Sequence, residues 1–300
     1  LASVYGASNA AMNFSQTLAN RAGTVNILPA PTLTPLGYGE EPKRAGSIAD
    51  RALVQDGIGE VVQPGGVSVW LSGLGEATDV NDRSSPRVYE SHTGGVAGGI
   101  EYRIEDASSA AVIGIGAGYT RTEVDVVDGS ADIDGGHVGL YAGYATGPLE
   151  LSGAISYSRF GYDLDRSIQL AGTGSLGAHG SADGNAVSGF ASVYYDLAPA
   201  FGQEGWRFGP LARLRGADAD RDGYTEDGAG LLNLAVDDDD VSQVYGGIGG
   251  RFGTAKMIGS TLITAELDLL YERGLSGSTE TSLSSIPGVA GASFATSVYN

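Results

Sequence analysis

Apolar residues recur at every second position in nine runs between positions 67 and 271, and this pattern constrains the fold more than any other feature. In the segment ITAELDLLY at 263–271, for example, Ile, Ala, Leu, Leu and Tyr alternate with mostly polar residues. A period of two places one set of side chains on each face of a β-strand. The sequence therefore predicts about nine strands, each long enough to cross a bilayer at a tilt.

The connections between these runs are mostly of two kinds, which alternate along the chain. The short ones cover 105–108, 146–148, 198–205 and 254–259, and those predicted to be longer cover 78–88, 125–131, 167–177, 219–238 and 274–291. Tight turns on one side of a membrane and long loops on the other are typical of outer-membrane barrels. We therefore predict an all-β fold, an up-and-down antiparallel transmembrane β-barrel.

The phase opposite to the apolar one is rich in glycine and carries charges of both signs. Its candidate functional residues are Glu101, Arg103, Arg213, Arg215, Glu266 and Asp268. Guanidinium groups and carboxylates that share a wet surface form ion pairs. We expect these six residues to line a pore and to contact a helix inside it. The alternative is a charge ladder that only stabilises the wall.

Aromatic residues end many of the predicted strands, always in the apolar phase. Strands that run inward end at Tyr102, Tyr144, Tyr195 and Phe252, and strands that run outward end at Tyr119, Tyr157 and Tyr271. Amphipathic aromatic rings at two depths are typical of the two membrane interfaces. Arg159 lies just beyond Tyr157, where it is expected to meet either anionic lipid headgroups or solvent.

The part of the chain before the strands divides into two segments. Residues 1–24 are rich in alanine, lack proline and have apolar residues at helical spacing, so we predict a helix that plugs the pore. Residues 25–66 form a linker rich in proline and glycine, with either a short helix at Ser47–Val54 or a loose tether. The barrel domain is predicted to cover 67–300.

Composition excludes several functions. A net charge of −19 argues against nucleic acid as a partner, because phosphate binding needs basic patches. The chain has no cysteine, which excludes disulfides, thiolate metal sites and cysteine nucleophiles. It also lacks a run of 18 apolar residues, as a transmembrane helix would require. The chain starts with Leu1 rather than Met, so we expect it to be part of a longer precursor.

The candidates for metal binding or catalysis are weak. His92, His137 and His179 do not have metal-ligand spacing, and we assign no metal, cofactor or catalytic residue. Residues 218–223 carry the first aspartates and the glycine of a calcium loop, but Ala229 stands where a bidentate glutamate is needed. We expect a solvated acidic outer loop there, with weak calcium binding as the alternative.

Several stretches resemble one family. They are VWLSGLGEA at 69–77, HTGGVAGGIEYRI at 92–104, VIGIGAGYTRTEVDV at 112–126, HVGLYAGYATGPLELSGAISYSRFGYDLDRSI at 137–168 and RDGYTEDGAGLLNLAV at 221–236. In order and spacing they resemble the β-domain of classical monomeric autotransporters of type V secretion, and residues 1–21 resemble the segment that precedes such barrels. No single motif among them is decisive.

The resemblance implies a twelve-stranded translocator barrel in the bacterial outer membrane that supports export of its own N-terminal passenger, with a helix left in the pore. It also implies outer-membrane lipids, the outer-membrane insertion machinery and periplasmic chaperones as partners. Such a domain is not an enzyme and has no cofactor. One departure is that residues 293–300 are expected only to begin a tenth strand, so the chain is predicted to be truncated at its C-terminus.

Three other functions are weighed against this one. The first is an outer-membrane porin or channel without a passenger, which the extent of sequence upstream of Leu1 would distinguish. The second is a soluble secreted β-rich adhesin, which would remain in solution without detergent. The third and weakest is an outer-membrane hydrolase with its site at the loop rim, and no nucleophile stands out for it in the sequence.

Overall fold

The computed structural model describes most of the chain outside its N-terminal linker. The described residues are 2–23, 66–80, 89–106, 108–170, 174–203, 205–258, 261–276, 280–285 and 293–298. The linker predicted at 25–66 and the short helix considered at Ser47–Val54 lie outside them, apart from residue 66. None of the described helices combines the length and the hydropathy of a membrane span.

In the described residues, the regular structure consists of one helix and thirteen strands, together with short 3-10 turns at Ala198–Phe201 and Gly230–Leu232. Helix α1 covers Ala2–Gly23. The strands are β1 (Val67–Val80), β2 (Tyr89–Glu105), β3 (Ser109–Val126), β4 (Gly129–Thr146), β5 (Leu149–Leu170), β6 (Gly174–Tyr195), β7 (Trp206–Arg221), β8 (Tyr224–Thr225), β9 (Ala235–Val236), β10 (Asp239–Ile258), β11 (Thr261–Gly274), β12 (Glu280–Ser285) and β13 (Ser293–Val298).

Nine long strands form one antiparallel sheet in the order β1-β2-β3-β4-β5-β6-β7-β10-β11. Neighbours in the sheet are consecutive long strands, so the chain meanders up and down as predicted. In the described residues β1 and β11 stand at the two edges of this sheet. The turns at one end are tight, and Gly147 in the β4–β5 turn has a φ of +52°, which favours glycine.

The two phases of each strand lie on opposite faces of the sheet, as the sequence predicts. On β3, Ile113 and Ile115 are about 60% exposed, whereas Val112, which directly precedes Ile113, is 3% exposed. The exposed face is therefore the apolar one, which inverts the arrangement of a soluble sandwich. The glycine-rich, polar phase is the face that α1 covers.

Helix α1 lies against this polar face and contacts β1 to β7 and β10. Fourteen of its 22 residues are buried, and they are distributed around the helix rather than along one stripe. A helix that is buried all round needs neighbours on every side. The small residues that make α1 only weakly amphipathic, such as Ala7, Ala10 and Ala11, allow this enclosure.

A second sheet of four short strands has the order β13-β12-β9-β8. It is joined to β5 where Arg166 donates two hydrogen bonds to Glu226, at 2.9 and 2.5 Å. This contact raises the pKa of the Arg166 guanidinium above its ordinary value, chiefly through the hydrogen bond to the carboxylate. Residues 222–238 connect β7 to β10 and contain β8 and β9; this connection is the β8–β9 excursion. Where it leaves the nine-stranded sheet, Arg221 and Asp239 form a fully buried ion pair at 2.5 Å.

Two predicted outer connections are wrong in length. The connection predicted at 125–131 is a β3–β4 turn of two residues, Val127 and Asp128. In the connection predicted at 167–177, β5 and β6 stay paired as far as Leu170 and Gly174. Hydrogen bonding between antiparallel neighbours continues beyond the apolar band, because polar alternation above it does not interrupt the ladder. The lengths of the connections therefore do not alternate strictly, and most residues of these two predicted loops belong to the strands.

The C-terminal region also differs from the prediction in detail. The connection predicted at 274–291 contains β12, and the strand expected to begin at 293–300 is present as β13. It pairs with β12 in the second sheet, with Leu283 opposite Ala295, rather than extending the nine-stranded sheet. Similarly, Asp218 and Asp220 lie in β7, so the calcium-loop pattern at 218–223 does not form a loop.

Candidate functional site

The candidate functional site is the seat of α1 on the polar face of the sheet. Its centre is a pair of glycines, Gly116 on β3 and Gly139 on β4, which are opposite each other in the ladder. A Cβ added at either glycine would lie 2.5 Å from a methyl carbon of Leu18. Since carbon atoms are not tolerated so close, Leu18 occupies space that only glycine leaves free.

One turn earlier on the helix, Phe14 has a similar seat. A Cβ at Gly118 would lie 2.8 Å from Cε2 of Phe14, and the ring of Phe14 stacks on the imidazole of His137 at 5.0 Å between centroids. His137 is itself fixed, because its two ring nitrogens lie 2.8 Å from Thr120 Oγ1 and 2.7 Å from Ser158 Oγ. The wall therefore holds the imidazole in one orientation against the helix.

The last turn of α1 is held by a buried carboxylate. Glu101 on β2 accepts hydrogen bonds from Arg21 on the helix at 3.0 and 2.9 Å, and from Arg103 at 3.0 Å. Ser68 and Tyr141 donate to the same carboxylate, and Trp70 donates to the hydroxyl of Tyr141 at 2.6 Å. Such a carboxylate is buried at modest cost because charge-assisted donors surround it.

Smaller polar contacts continue along the helix. Asn13 donates to Glu76 at 3.0 Å, and Ser188 donates to the main-chain oxygen of Ala11 at 2.8 Å. Contacts to β1, β2, β6 and several other strands at different heights set the rotation and the depth of the helix. The seat is therefore specific for this helix in this position, unlike a generic apolar groove.

The helix has a defined direction relative to the loops. Its N-terminal half packs in a cluster with Val124, Ile133 and Tyr162, which lie toward the end of the sheet that carries the β8–β9 excursion. Its C-terminal half packs with Trp70, Val112 and Tyr141, toward the tight turns. The N-terminal end of the described helix, at Ala2, therefore lies at the end of the sheet with the longer excursions.

A charged cavity of about 380 Å³ opens beside the C-terminal half of α1, next to Gln16 and Asn20. Glu150 pairs there with Arg207 and Arg251, and Arg251 also pairs with Asp268 at 2.8 Å. The guanidinium groups of Arg207 and Arg251 both lie 5.2 Å from the ring centre of Tyr194. This region is open and lined by charged side chains, in contrast to the closely packed seat of Leu18.

Five of the six predicted pore residues fall into two groups, and Arg215 belongs to neither. Glu101 and Arg103 belong to the cluster that holds Arg21, and Arg213, Glu266 and Asp268 line the charged cavity. Arg213 pairs with Asp268 at 3.2 Å, while Arg215 pairs with Glu272 at 3.0 Å and lies over the ring of Tyr245. Among the six, Glu101 hydrogen-bonds directly to the helix, through Arg21.

The structure also places the remaining candidates. The seven predicted interface aromatics all lie on the exposed face, with exposures of 42–73%; they are Tyr102, Tyr119, Tyr144, Tyr157, Tyr195, Phe252 and Tyr271.

Arg159 is exposed and 3.5 Å from Asp183. His92 is exposed, and His179 is exposed and pairs with Asp165. Across the described ranges, groups of three or more residues suited to a metal ion are absent.

The sequence prediction missed Arg21, Tyr141, Leu18 and the two glycines beneath it. Arg21 is the single basic residue of α1, which was a usable signal. Glycines that fall in the inward phase of neighbouring strands were a second signal, because they mark places where something approaches the backbone. Which helix residue fills that space depends on tertiary packing alone.

Comparison with known proteins agrees with this geometry. A family model described as the autotransporter beta-domain matches residues 69–300. The translocator domain of autotransporter NalP from Neisseria meningitidis is similar, with a TM-score of 0.52 and 15% identity over 78% of this chain and 84% of that one. The beta domain of the Bordetella autotransporter BrkA gives a TM-score of 0.49 and 20% identity over 73% and 84%. Among curated proteins, none matches significantly.

A meandering antiparallel sheet that is apolar on one face and packs a helix against its polar face is the architecture of a membrane β-barrel that holds a helix. The family match covers more than two thirds of the chain, and the chain belongs to the autotransporter beta-domain family. It is therefore an outer-membrane translocator of the type V secretion class. The resemblance noted from the sequence motifs, the fold class and the bacterial outer-membrane location are confirmed.

Proposed function

We propose that α1 is the end of a passenger connection that stays inside the barrel after an N-terminal passenger has been exported to the cell surface. The observation that carries this proposal is the seat of Leu18 on Gly116 and Gly139. The strands carry glycine at both positions that face Leu18, and this leaves space for a side chain of the helix. Such a wall fits an occupied barrel better than an open channel. In this role the domain is an anchor and not an enzyme.

The direction of the helix supports the same role. With its last turn held by Glu101 near the tight turns, and its first turn near Val124 and Tyr162, α1 runs from the outer to the periplasmic side. A passenger upstream of Leu1 then lies outside the cell, and the end of α1 at Gly23 and the start of β1 at Val67 both lie on the periplasmic side. Both ends of the helix agree with export of the upstream chain.

The charged side chains have distinct tasks in this proposal. Glu101 and Arg103 hold the helix through Arg21, whereas Arg213, Arg215, Glu266 and Asp268 keep the rest of the lumen wet and lined with paired charges. The seven exposed aromatics hold the barrel at the two membrane interfaces, in contact with outer-membrane lipids. Insertion machinery and periplasmic chaperones are the assembly partners that membership of this family suggests.

A second candidate function is ion conduction without a passenger. The charged cavity of about 380 Å³ beside Gln16 and Asn20 favours it, because water and ions have space next to the helix at that end. Both functions share the barrel and differ in what precedes Leu1. They are distinguished by following the chain that enters the barrel from upstream.

The test places a protease-cleavable epitope immediately before Leu1 in the full-length precursor and treats intact cells with protease. We expect the epitope to be cleaved on intact cells, because the proposal puts the N-terminus of α1 outside. A matched control carries the same epitope in the turn at Gly147 and Pro148, which is expected to stay protected until the membrane is permeabilised. Protection of the epitope before Leu1 on intact cells would contradict the proposal.

A further inference from the structure

The exposed face of the sheet carries an apolar groove of about 720 Å³. It crosses β2 to β6 and is lined by Ile100, Ile115, Ala117, Leu140, Ile155 and Tyr157, among others. These side chains belong to the outward phase, so the groove opens to the lipid and not to the lumen. Small residues such as Ala117, set among large neighbours, create the hollow.

Two tyrosine–arginine pairs stand directly above this groove. Tyr119 and Arg121 are two residues apart on β3, and Tyr157 and Arg159 are two residues apart on β5. Because residues two apart share a face, all four side chains point outward on the two strands that flank β4. The side chains of Arg121 and Arg159 are 54% and 71% exposed, which leaves guanidinium donors free for an outside group.

A gap between the two pairs is kept open by glycine. In the ladder Gly136 on β4 lies opposite Tyr119 on one side and Arg159 on the other. A Cβ at Gly136 would meet no atom within 4 Å. The outer surface therefore has a notch at Gly136, between the phenol of Tyr119 and the guanidinium of Arg159. The apolar groove begins two residues further along β4, at Val138.

We propose that the groove and the two arginines bind one phosphorylated glycolipid of the outer leaflet. An acyl chain lies in the groove, and the sugar headgroup spans the notch at Gly136 with its phosphates on Arg121 and Arg159. The two arginines are separated by a whole strand, which places them at least about 10 Å apart. A headgroup with two phosphates reaches both of them, whereas a phospholipid with a single phosphate reaches only one.

The surrounding carboxylates determine how the phosphates bind. Arg121 pairs with Asp132 at 2.9 Å and faces Asp134 in the ladder, while Arg159 lies 3.5 Å from Asp183. Two guanidinium groups do not balance these carboxylates and the added phosphates together. The lipid therefore binds with divalent cations that bridge phosphate and carboxylate oxygens, which are the ligands that Mg²⁺ and Ca²⁺ prefer.

The test measures lipid binding by native mass spectrometry on the full-length protein, extracted in mild detergent with Mg²⁺. The added lipids are diphosphoryl lipid A, its dephosphorylated form and phosphatidylglycerol. We expect one tightly bound lipid A per chain, and weaker binding of both other lipids. Combining Arg121→Ser with Arg159→Ser should weaken lipid A binding about tenfold or more and leave the dephosphorylated form unchanged. Chelating the Mg²⁺ should have a similar effect.

Two matched controls separate a built site from general attraction. Arg273→Ser removes the arginine of a third tyrosine–arginine pair, Tyr271 and Arg273, which lies on β11 away from the residues that line this groove, and should have no effect. Ala117→Trp should fill the groove and weaken binding of both forms of lipid A, whereas Ala142→Trp, an exposed position outside the groove, should not.

Each result decides for or against the proposal. Equal binding of lipid A and phosphatidylglycerol, or equal loss with Arg273→Ser, would overturn it in favour of nonspecific attraction. Insensitivity to both Ala117→Trp and the arginine pair would also overturn it. Heat-modifiable migration checks the folding of every variant. If Ala117→Trp does not fold, Ala117→Leu replaces it, and the arginine variants test the headgroup half independently.

Discussion

Leu18 on the helix lies with its Cδ2 atom 2.5 Å from the point where a Cβ at Gly116 would stand. The two residues are separated by almost a hundred positions in the chain, yet each fixes what the other can be. A larger residue on the wall would require the helix to move, and a smaller residue on the helix would leave a void. This relationship makes the helix an integral part of the barrel interior.

Gly116→Ala is expected to displace α1 and to destabilise the folded barrel by about 1–3 kcal/mol, the usual cost of overpacking. Stability is measured by urea or thermal unfolding in detergent micelles, with heat-modifiable migration as the readout. Gly161→Ala is the matched control, because it adds the same methyl group at an open, exposed position. Adding Leu18→Ala to Gly116→Ala should recover part of the loss, and a purely additive double variant would contradict the contact.

Glu101→Gln is expected to loosen the last turn of the helix. The substitution removes the charge that pairs with both Arg21 and Arg103, so the two neighbouring guanidinium groups lose the carboxylate that they share. In planar bilayers the variant should show larger or more frequently fluctuating conductance than the wild type. Glu105→Gln, at the exposed end of the same strand, is the control, and equal conductance of both variants would count against the role of Glu101.

Arg221→Met is expected to destabilise the end of the barrel where the β8–β9 excursion begins, by about 3–5 kcal/mol, because it removes the guanidinium that pairs with the buried carboxylate of Asp239. Combining Arg221→Met with Asp239→Leu should recover most of the stability, since replacing both charges by apolar groups is often neutral. Thermal unfolding of the single and double variants gives the comparison. A double variant as unstable as the single one would show that the pair itself is not responsible.

The strands were predictable because their information is local. Alternation places Ile115 outward and Gly116 inward from the sequence alone, and tight turns such as Gly147–Pro148 separate the runs. The helix was likewise visible from the alanine-rich, proline-free composition of its segment. The division of the chain at 24 and 66 remains a prediction, because the linker lies outside the described residues.

The contacts that make the site were not predictable in the same way. Arg21 and Glu101 are 80 residues apart in the chain. From the sequence alone, each could have paired with several other charged residues of the polar face. Outer connections were misjudged because ladders such as Leu170 with Gly174 extend beyond the apolar alternation on which the prediction relied. The pairing of β12 with β9 likewise depends on how the outer end of the sheet folds back, and short polar strands give little periodic signal.

The central claim is that α1 stays inside the barrel with its N-terminus outward. The most direct test pairs Asn13→Cys with Glu76→Cys in the full-length precursor and applies a short bismaleimide to cells that display the passenger. The wild-type side chains are 3.0 Å apart, and the chain has no cysteine of its own to interfere. We predict efficient cross-linking of the two positions in the surface-exposed, folded form. Absence of a cross-link, with each single cysteine reactive, would contradict the account.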